Sequence, residues 1–433
     1  MSALVEEASP AAPGMAQGET AAHAASFARG GFAGSLTALS VPNFRFFTAS
    51  SVFLSAAMNM QQLANGWYAY HLTGSTAILG LTLLAQAIPQ TVLSIFGGVL
   101  SDRLPRRYLM MTAFTGYSLL AFWIALSILL DTITWQDLVV RAFLFGCILS
   151  FSMPARQGII GELVGRERIM SAVSISQAIQ NISQFAGPAI AGFAIAWISI
   201  QGAYWLIGGS FLMAGVCMLP VRYTARRMPS KAGVKGFLAN IPEGLKYIRG
   251  NQDVFLLLLF TLATTFFATP YTQLLPVFTT DVLHVGPEKL GLLSSISGIG
   301  ALLGSVIVSW MGAGKRGTFF IYSALTTGTA LIVFCLTTSY AASACIILLI
   351  GAGQSIRMTM SSGLLQSYTE DRFVGRVLSI QMMQNGLTSI GAFAVALFAG
   401  LIGVRWALGM TAVLLLVTSI AFLAASPRLR KLA

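Results

Sequence analysis

Charge is what this chain has least of. Asp, Glu, Lys and Arg together supply 9% of its 433 residues, roughly a third of the share usual in soluble domains. Apolar residues supply 56%, more than a soluble fold of this size can hide from water. That excludes a soluble globular protein and leaves a helical one that crosses a membrane many times. Histidine and cysteine are scarce too. His23, His71 and His284 fall in the N-terminal tail or at the edges of apolar runs, whereas Cys147, Cys217, Cys335 and Cys345 fall inside them. Such placement makes neither a disulfide framework nor a metal-ligand set, so no cofactor is expected. There is no glycine-rich phosphate loop with its lysine and no hydrolase or kinase pattern, so the chain reads as no enzyme and no direct user of ATP. The net charge of +12 does not point to nucleic acid, because the basic residues lie in short loops and near the C-terminus.

Apolar segments long enough to span a bilayer follow one another at 44–68, 76–100, 108–130, 136–154, 169–197, 202–220, 252–280, 289–311, 318–338, 342–358, 374–402 and 404–425, twelve in all. Lys and Arg collect in alternate loops: Arg103, Arg106 and Arg107; Arg156, Arg166 and Arg168; Arg222 to Arg249; Lys315 and Arg316; Arg372 and Arg376. The opposite loops offer only Lys289 and Arg405. By the positive-inside rule both termini are expected in the cytoplasm, in agreement with an even number of spans. Residues 1–40 lack the compact apolar core of a signal peptide and are expected to be a disordered cytoplasmic tail. Residues 41–220 and 251–425 are expected to be two six-helix bundles, joined by a basic cytoplasmic linker at 221–250 and followed by a short tail at 426–433. Part of the linker, Phe237 to Ile248, has the pattern of an amphipathic helix on the inner membrane surface, where anionic lipid suffices as partner.

The two halves repeat. An offset of 204 residues carries Gln177, Gln180, Asn181 and Gly187 of the fifth span onto Gln381, Gln384, Asn385 and Gly391 of the eleventh. Leu79-Gly80-Leu81 and Leu290-Gly291-Leu292 open the second and eighth spans at an offset of 211. Such a repeat implies two pseudo-symmetric bundles with a binding site between them near the bilayer midplane.

Few residues within the spans can carry charge. Asp137 stands at the mouth of the fourth span, and Arg141 lies one turn deeper on the same helix face. An intramembrane arginine points to function, so the pair is a candidate for proton coupling; a structural ion pair between helices is the plainer reading. Amides are unusually frequent. Asn59, Gln62, Gln86, Gln177, Gln180, Asn181, Tyr271, Gln273, Gln354, Gln381, Gln384 and Asn385 are candidates for a polar, largely uncharged cavity suited to a large amphipathic ligand. Interhelical hydrogen bonding accounts for some of them.

The stretch from Gly97 to Arg107 joins two apolar runs through a burst of charge. It resembles the signature loop of the major facilitator superfamily, Gly-x-x-x-Asp-Arg-x-Gly-Arg-Arg/Lys, with Gly98, Asp102, Arg103, Arg106 and Arg107 matching and Pro105 where many members carry glycine. The resemblance implies the major facilitator fold: an all-α membrane protein with twelve transmembrane helices in two pseudo-symmetric six-helix bundles. Asp102 and its arginines are expected to latch the cytoplasmic ends of the halves against the start of the eleventh helix near Arg376. Gly187, Pro188 and Gly192 resemble the exporters' Gly-Pro-x-x-Gly motif, with the second glycine one position late; there the motif seals one side of the pathway. Pro154-Ala155-Arg156-Gln157 and Leu72-Thr73-Gly74-Ser75 look like the branch containing enterobactin and macrolide exporters. What this implies is a monomeric multi-pass protein of the bacterial inner (plasma) membrane. It would export a siderophore, natural product or drug by alternating access, with protons as the coupling ion. A metabolite importer or lysolipid flippase and a non-transporting membrane sensor are the alternatives.

Overall fold

The computed structural model of the chain describes residues 37–165, 168–221, 243, 246–310, 316–370, 373, 377, 381 and 384–426, without the side chains of Ile95, Val99, Asp102, Arg103 and Asn385. Residues 1–36 of the expected N-terminal tail, Arg376 and most of the basic linker therefore lie outside the described residues; the end of that tail is ordered, with Thr37–Ser40 in a 3-10 turn and Ala38 N–H donating to Ser171 Oγ at 3.1 Å. Within the linker, Glu243 and Lys246 to Gly250 are helical.

Among the described residues, thirteen α-helices make up twelve spans. They are α1 Pro42–Thr73, α2 Thr76–Arg103, α3 Arg106–Leu129, α4 Trp135–Val164, α5 Ile169–Trp197, α6 Ile200–Met218, α7 Gln252–Ala268, α8 Pro270–Asp281, α9 Pro287–Trp310, α10 Arg316–Leu336, α11 Tyr340–Tyr368, α12 Gln384–Ile402 and α13 Val404–Ala425. Among the described residues, nine stretches are long and apolar enough to cross a membrane. The amides of α1 and α5 dilute the hydropathy of those two helices.

Local chemistry sets where each helix begins and ends. Ser199 Oγ accepts from Gly202 N–H at 2.9 Å to start α6, and Asn251 Oδ1 accepts from Asp253 N–H at 3.2 Å to start α7. Such caps satisfy donors that a helix cannot bond itself. Gly74 closes α1 at φ 61°, a left-handed conformation that costs glycine little, and returns its N–H to Tyr70 O. Pro270 has no N–H to give, so the seventh span breaks into α7 and α8 at Thr269. Inside α4, by contrast, Pro154 does not end the helix. Neighbouring helices resatisfy the freed carbonyl in a membrane bundle. The fourth span thus runs to Val164, not residue 154, and the tenth to Tyr368, not residue 358.

Each half packs in the same way: α2 lies on α4 and α3 on α6, as α9 lies on α11 and α10 on α13. Gly146 presses on the Gln86 carbonyl oxygen where α4 crosses α2, and Gly351 presses on that of Ser297 where α11 crosses α9. The two crossings are images displaced by 205 and 211 residues. The halves meet along α5 with α9, α2 with α12, and α8 with α1. Outside, Leu119, Val216, Leu349 and Leu401 are exposed as a lipid-facing surface requires, and Trp135, Trp197, Trp310 and Trp406 stand exposed near helix ends. Tryptophan at those levels suits the membrane–water boundary.

Candidate substrate cavity

The cavity forms because two seams between the halves close at one end of the bundle. This is the end opposite the one where α2 turns into α3; the latter carries the linker. At the closed end a Cβ on Gly291 of α9 would lie 2.6 Å from Pro188 O and 3.0 Å from Gly192 Cα of α5. On the other seam a Cβ on Gly80 of α2 would lie 2.8 Å from Ala396 Cβ of α12. These are equivalent contacts: the 211-residue offset relates Gly80 to Gly291, and the 204-residue offset relates Gly192 to Ala396. Tyr70 Oη of α1 donates to Asp281 of α8 at 2.7–2.8 Å, a third tie across the halves.

Beneath this closure is a cavity of about 430 Å³ walled by α1, α2, α3, α4, α5, α8 and α9. Asn59, Gln62, Gln86, Gln180, Tyr271 and Gln273 line it, with Met58, Phe114 and Phe145 as apolar wall. A second space of about 740 Å³ lies between α5, α9 and α11 toward the linker end, with Gln177 and Asn181 on its wall. Gln184 and Gly298 border both spaces.

The amides divide by role. Gln180 Oε1 accepts from Ser55 Oγ at 3.2 Å and from Arg156 Nη2 at 3.4 Å, tying α1, α4 and α5 at the cavity wall. Asn59 donates back to Ser55 O at 2.8 Å, and Gln177 donates to Asn181 at 3.1 Å. The break before Tyr271 turns its hydroxyl toward Ser297 at 3.2 Å and Gln354 at 3.3 Å, so Gln354 stands behind the wall. Gln381 is buried, donating to Ser362 at 3.2 Å, and Gln384 borders neither space. Gln381 serves packing in the second half. The side chain of Asn385 lies outside the described residues.

One expectation changes. Asp137 does not pair with Arg141. Its Oδ2 accepts from Thr134 N–H at 2.8 Å and Thr134 Oγ1 at 2.7 Å, a capping box that starts α4. The carboxylate satisfies the free donors of the helix end nearest to it. Arg141, one turn deeper, is 1% exposed, lies 5.8 Å from the Phe145 ring, and leaves Nε and Nη1 without a hydrogen-bond partner. The expected latch between halves rests on Asp102 and Arg103, whose side chains lie outside the described residues, and on Arg376, which lies outside them as a whole. Arg106 Nη1 pairs with Glu162 Oε1 at 3.0 Å and packs over Gly158, both on α4. Arg107 Nη2 donates to Leu219 O at 2.6 Å, just past α6. These contacts lie within the first half; α4 extends past Pro154 and so brings Glu162 within reach of Arg106. Gly98 lies in the penultimate turn of α2, and Asp102 and Arg103 end the helix, their side chains outside the described residues.

Sequence reasoning put the half-buried Arg156 in a loop and named Arg357 of the tenth span only as a possible lining residue. Arg156 reaches the cavity wall from α4. Arg357 of α11 is fully buried, with Nη1 donating to Thr265 Oγ1 at 2.7 Å. The helical spacing of Arg156 from the apolar residues after Pro154 was the available signal.

The profile of the Major Facilitator Superfamily matches residues 45–390, most of the described chain. The chain belongs to that superfamily. Its relatives include the staphyloferrin A transporter of Staphylococcus aureus, 25% identical over 363 residues that cover 83% of this chain and 90% of that protein. Macrolide efflux protein A of Streptococcus pyogenes is 24% identical over 370 residues, 82% of this chain and 88% of that protein. A crystal structure of the nucleoside transporter NupG superposes with a TM-score of 0.74 at 11% identity, covering 89% of this chain and all of that one; this likeness concerns the fold. The protein is therefore a multi-pass membrane transporter of the superfamily with efflux-type relatives.

Proposed function

We propose that the protein exports an amphipathic small molecule across the bacterial plasma membrane by alternating access, with both termini in the cytoplasm. The observation that carries this reading is the pair of equivalent seals, Gly291 on Gly192 and Gly80 on Ala396, which close one end above a cavity that shares Gln184 and Gly298 with a space toward the other. With the positive-inside orientation, this is a carrier open to the cytoplasm and loaded from there. The names of the efflux-type relatives and the small-residue stretch around Pro188 favour export over uptake. The amides and apolar groups of the wall suit a siderophore, natural product or drug. Proton antiport is the coupling we assign. Asp137 caps α4, so it is a weak candidate for the proton-carrying group.

Everted vesicles test this. ATP-driven acidification should load them with a fluorescent cargo, and a protonophore should stop the loading. Loading that ignores the protonophore would refute proton coupling, and loading only of right-side-out vesicles would refute the direction.

A further inference from the structure

We infer that the cavity selects an elongated organic anion, held at two places by Arg141 and Arg156; this rests on the transport reading above. Both arginines line the cavity, and no Asp or Glu is among the described residues of its wall. The carboxylate nearest in sequence, Asp137, is occupied by Thr134. Arg141 keeps two buried nitrogens unbonded, and Arg156 meets only neutral oxygens, Ser55 Oγ at 3.2 Å and Gln180 Oε1 at 3.4 Å. A guanidinium keeps its charge and offers five donors, and its strongest complement is an oxyanion. Two uncompensated cations within a low-dielectric bundle are costly unless an anion joins them.

Spacing adds shape to the ligand. The two arginines are fifteen residues apart on one helix, about 22 Å along its axis at 1.5 Å per residue. Their long side chains can narrow that gap but cannot close on a single carboxylate. A cargo that satisfies both has acidic groups at separated points, with hydroxyl or carbonyl groups between them for Asn59, Gln86 and Gln180. The same field repels cations, so an ordinary cationic drug is a poor cargo.

The probes are two xanthene dyes of common skeleton and opposite charge, carboxyfluorescein and rhodamine 6G, with citrate as competitor. Binding is read by fluorescence anisotropy on the purified full chain in detergent. Wild type should prefer carboxyfluorescein by about tenfold or more, the discrimination expected of a charged hydrogen bond. Arg141→Gln and Arg156→Gln should each lower that preference about tenfold, and Arg141→Lys and Arg156→Lys should retain most of it. Citrate should displace the anionic dye. Melting temperatures identify any variant that fails to fold, and the Lys variants then carry the comparison. Equal or tighter binding of rhodamine 6G, no binding of carboxyfluorescein or citrate by wild type, or Gln variants whose preference stays within twofold would overturn the inference. Everted vesicles separate the two claims: anion-selective binding without transport would refute the transport reading and leave the selectivity intact.

Discussion

The equivalent seals make a quantitative prediction about conformational balance. Alanine at Gly291 puts a Cβ 2.6 Å from Pro188 O and 3.0 Å from Gly192 Cα, and both are backbone that cannot turn aside. Alanine at Gly80 puts it 2.8 Å from Ala396 Cβ, 3.0 Å from a ring atom of Phe393 and 3.3 Å from Phe393 Cα; the ring can shift, and the Ala396 methyl can be removed by substitution. Overpacking of this kind costs about 1–3 kcal/mol. The cost falls on the state in which these seams are shut and is absent when they part, so it shifts the equilibrium by about 5- to 150-fold toward the state open at that end. Gly291→Ala should shift it more than Gly80→Ala. Adding Ala396→Gly should restore part of the Gly80→Ala loss and none of the Gly291→Ala loss.

The assay is thiol labelling. A cysteine at Asn59, on the cavity wall, is placed in a background where Cys147, Cys217, Cys335 and Cys345 are serine. An impermeant maleimide is then applied from the side of the seals. Wild type should label slowly, Gly291→Ala several-fold faster, and Gly80→Ala between them. Labelling unchanged in both variants, with normal expression, would refute the claim that these contacts hold the end closed. Equal rescue of both by Ala396→Gly would refute the distinction between backbone and side-chain clash.

Four other outcomes follow from the geometry. Asp137→Asn keeps one oxygen for Thr134, so vesicle transport and its protonophore sensitivity should persist, while Asp137→Ala should cost the helix cap about 1 kcal/mol in thermal stability; loss of coupling in Asp137→Asn would restore it as a proton site. Gln180→Ala removes the shared acceptor of Ser55 and Arg156 and should alter the cargo profile, whereas Gln384→Ala should not; equal effects would mean that both amides act through packing. Glu162→Gln should change stability by no more than about 1 kcal/mol, as expected for a partly exposed pair, and Gly158→Ala should cost similarly little, because it meets only the movable end of the Arg106 side chain and displaces it from Glu162; a much larger loss in the melting curve of Gly158→Ala would refute this. Tyr70→Phe removes a tie to Asp281 and should raise labelling at position 59 modestly, by less than Gly291→Ala does.

The twelve spans and their internal repeat were legible in the sequence because both are written in long-range patterns: apolar runs of bilayer length, and amides and glycines recurring at fixed offsets. Leu79-Gly80-Leu81 and Leu290-Gly291-Leu292 were visible as a repeat, but their purpose was not. A glycine's neighbour is set by the helix that crosses it, and the partners Ala396 and Gly192 lie far away in the chain. Span ends were less legible for a related reason. Proline reads as a stop when local propensity is all there is, and Pro154 would end a helix in water. In a bundle its lost hydrogen bond is one of few costs and the packed neighbours offset it, so α4 runs ten residues further.

That one error reached into the site. With α4 ended at residue 154, Arg156 belonged to a basic loop and its charge was spent on the positive-inside count. With α4 continued to Val164, the same residue reaches the cavity wall, and Glu162 becomes the partner of Arg106. Asp137 failed in the other direction. The i, i+4 spacing to Arg141 is a valid helical pairing rule, but it competes with the unbonded N–H groups at the start of α4. Those donors are fixed and adjacent, whereas a guanidinium one turn deeper can turn away to the Phe145 face. The cap wins the carboxylate, and the arginine is left with an uncancelled charge at the cavity. A pattern that read as a neutral pair for proton traffic is, in three dimensions, a helix start on one side and a fixed positive charge on the other. It is that separation, and not the presence of either residue, that turns the question of coupling into a question about the charge of the cargo.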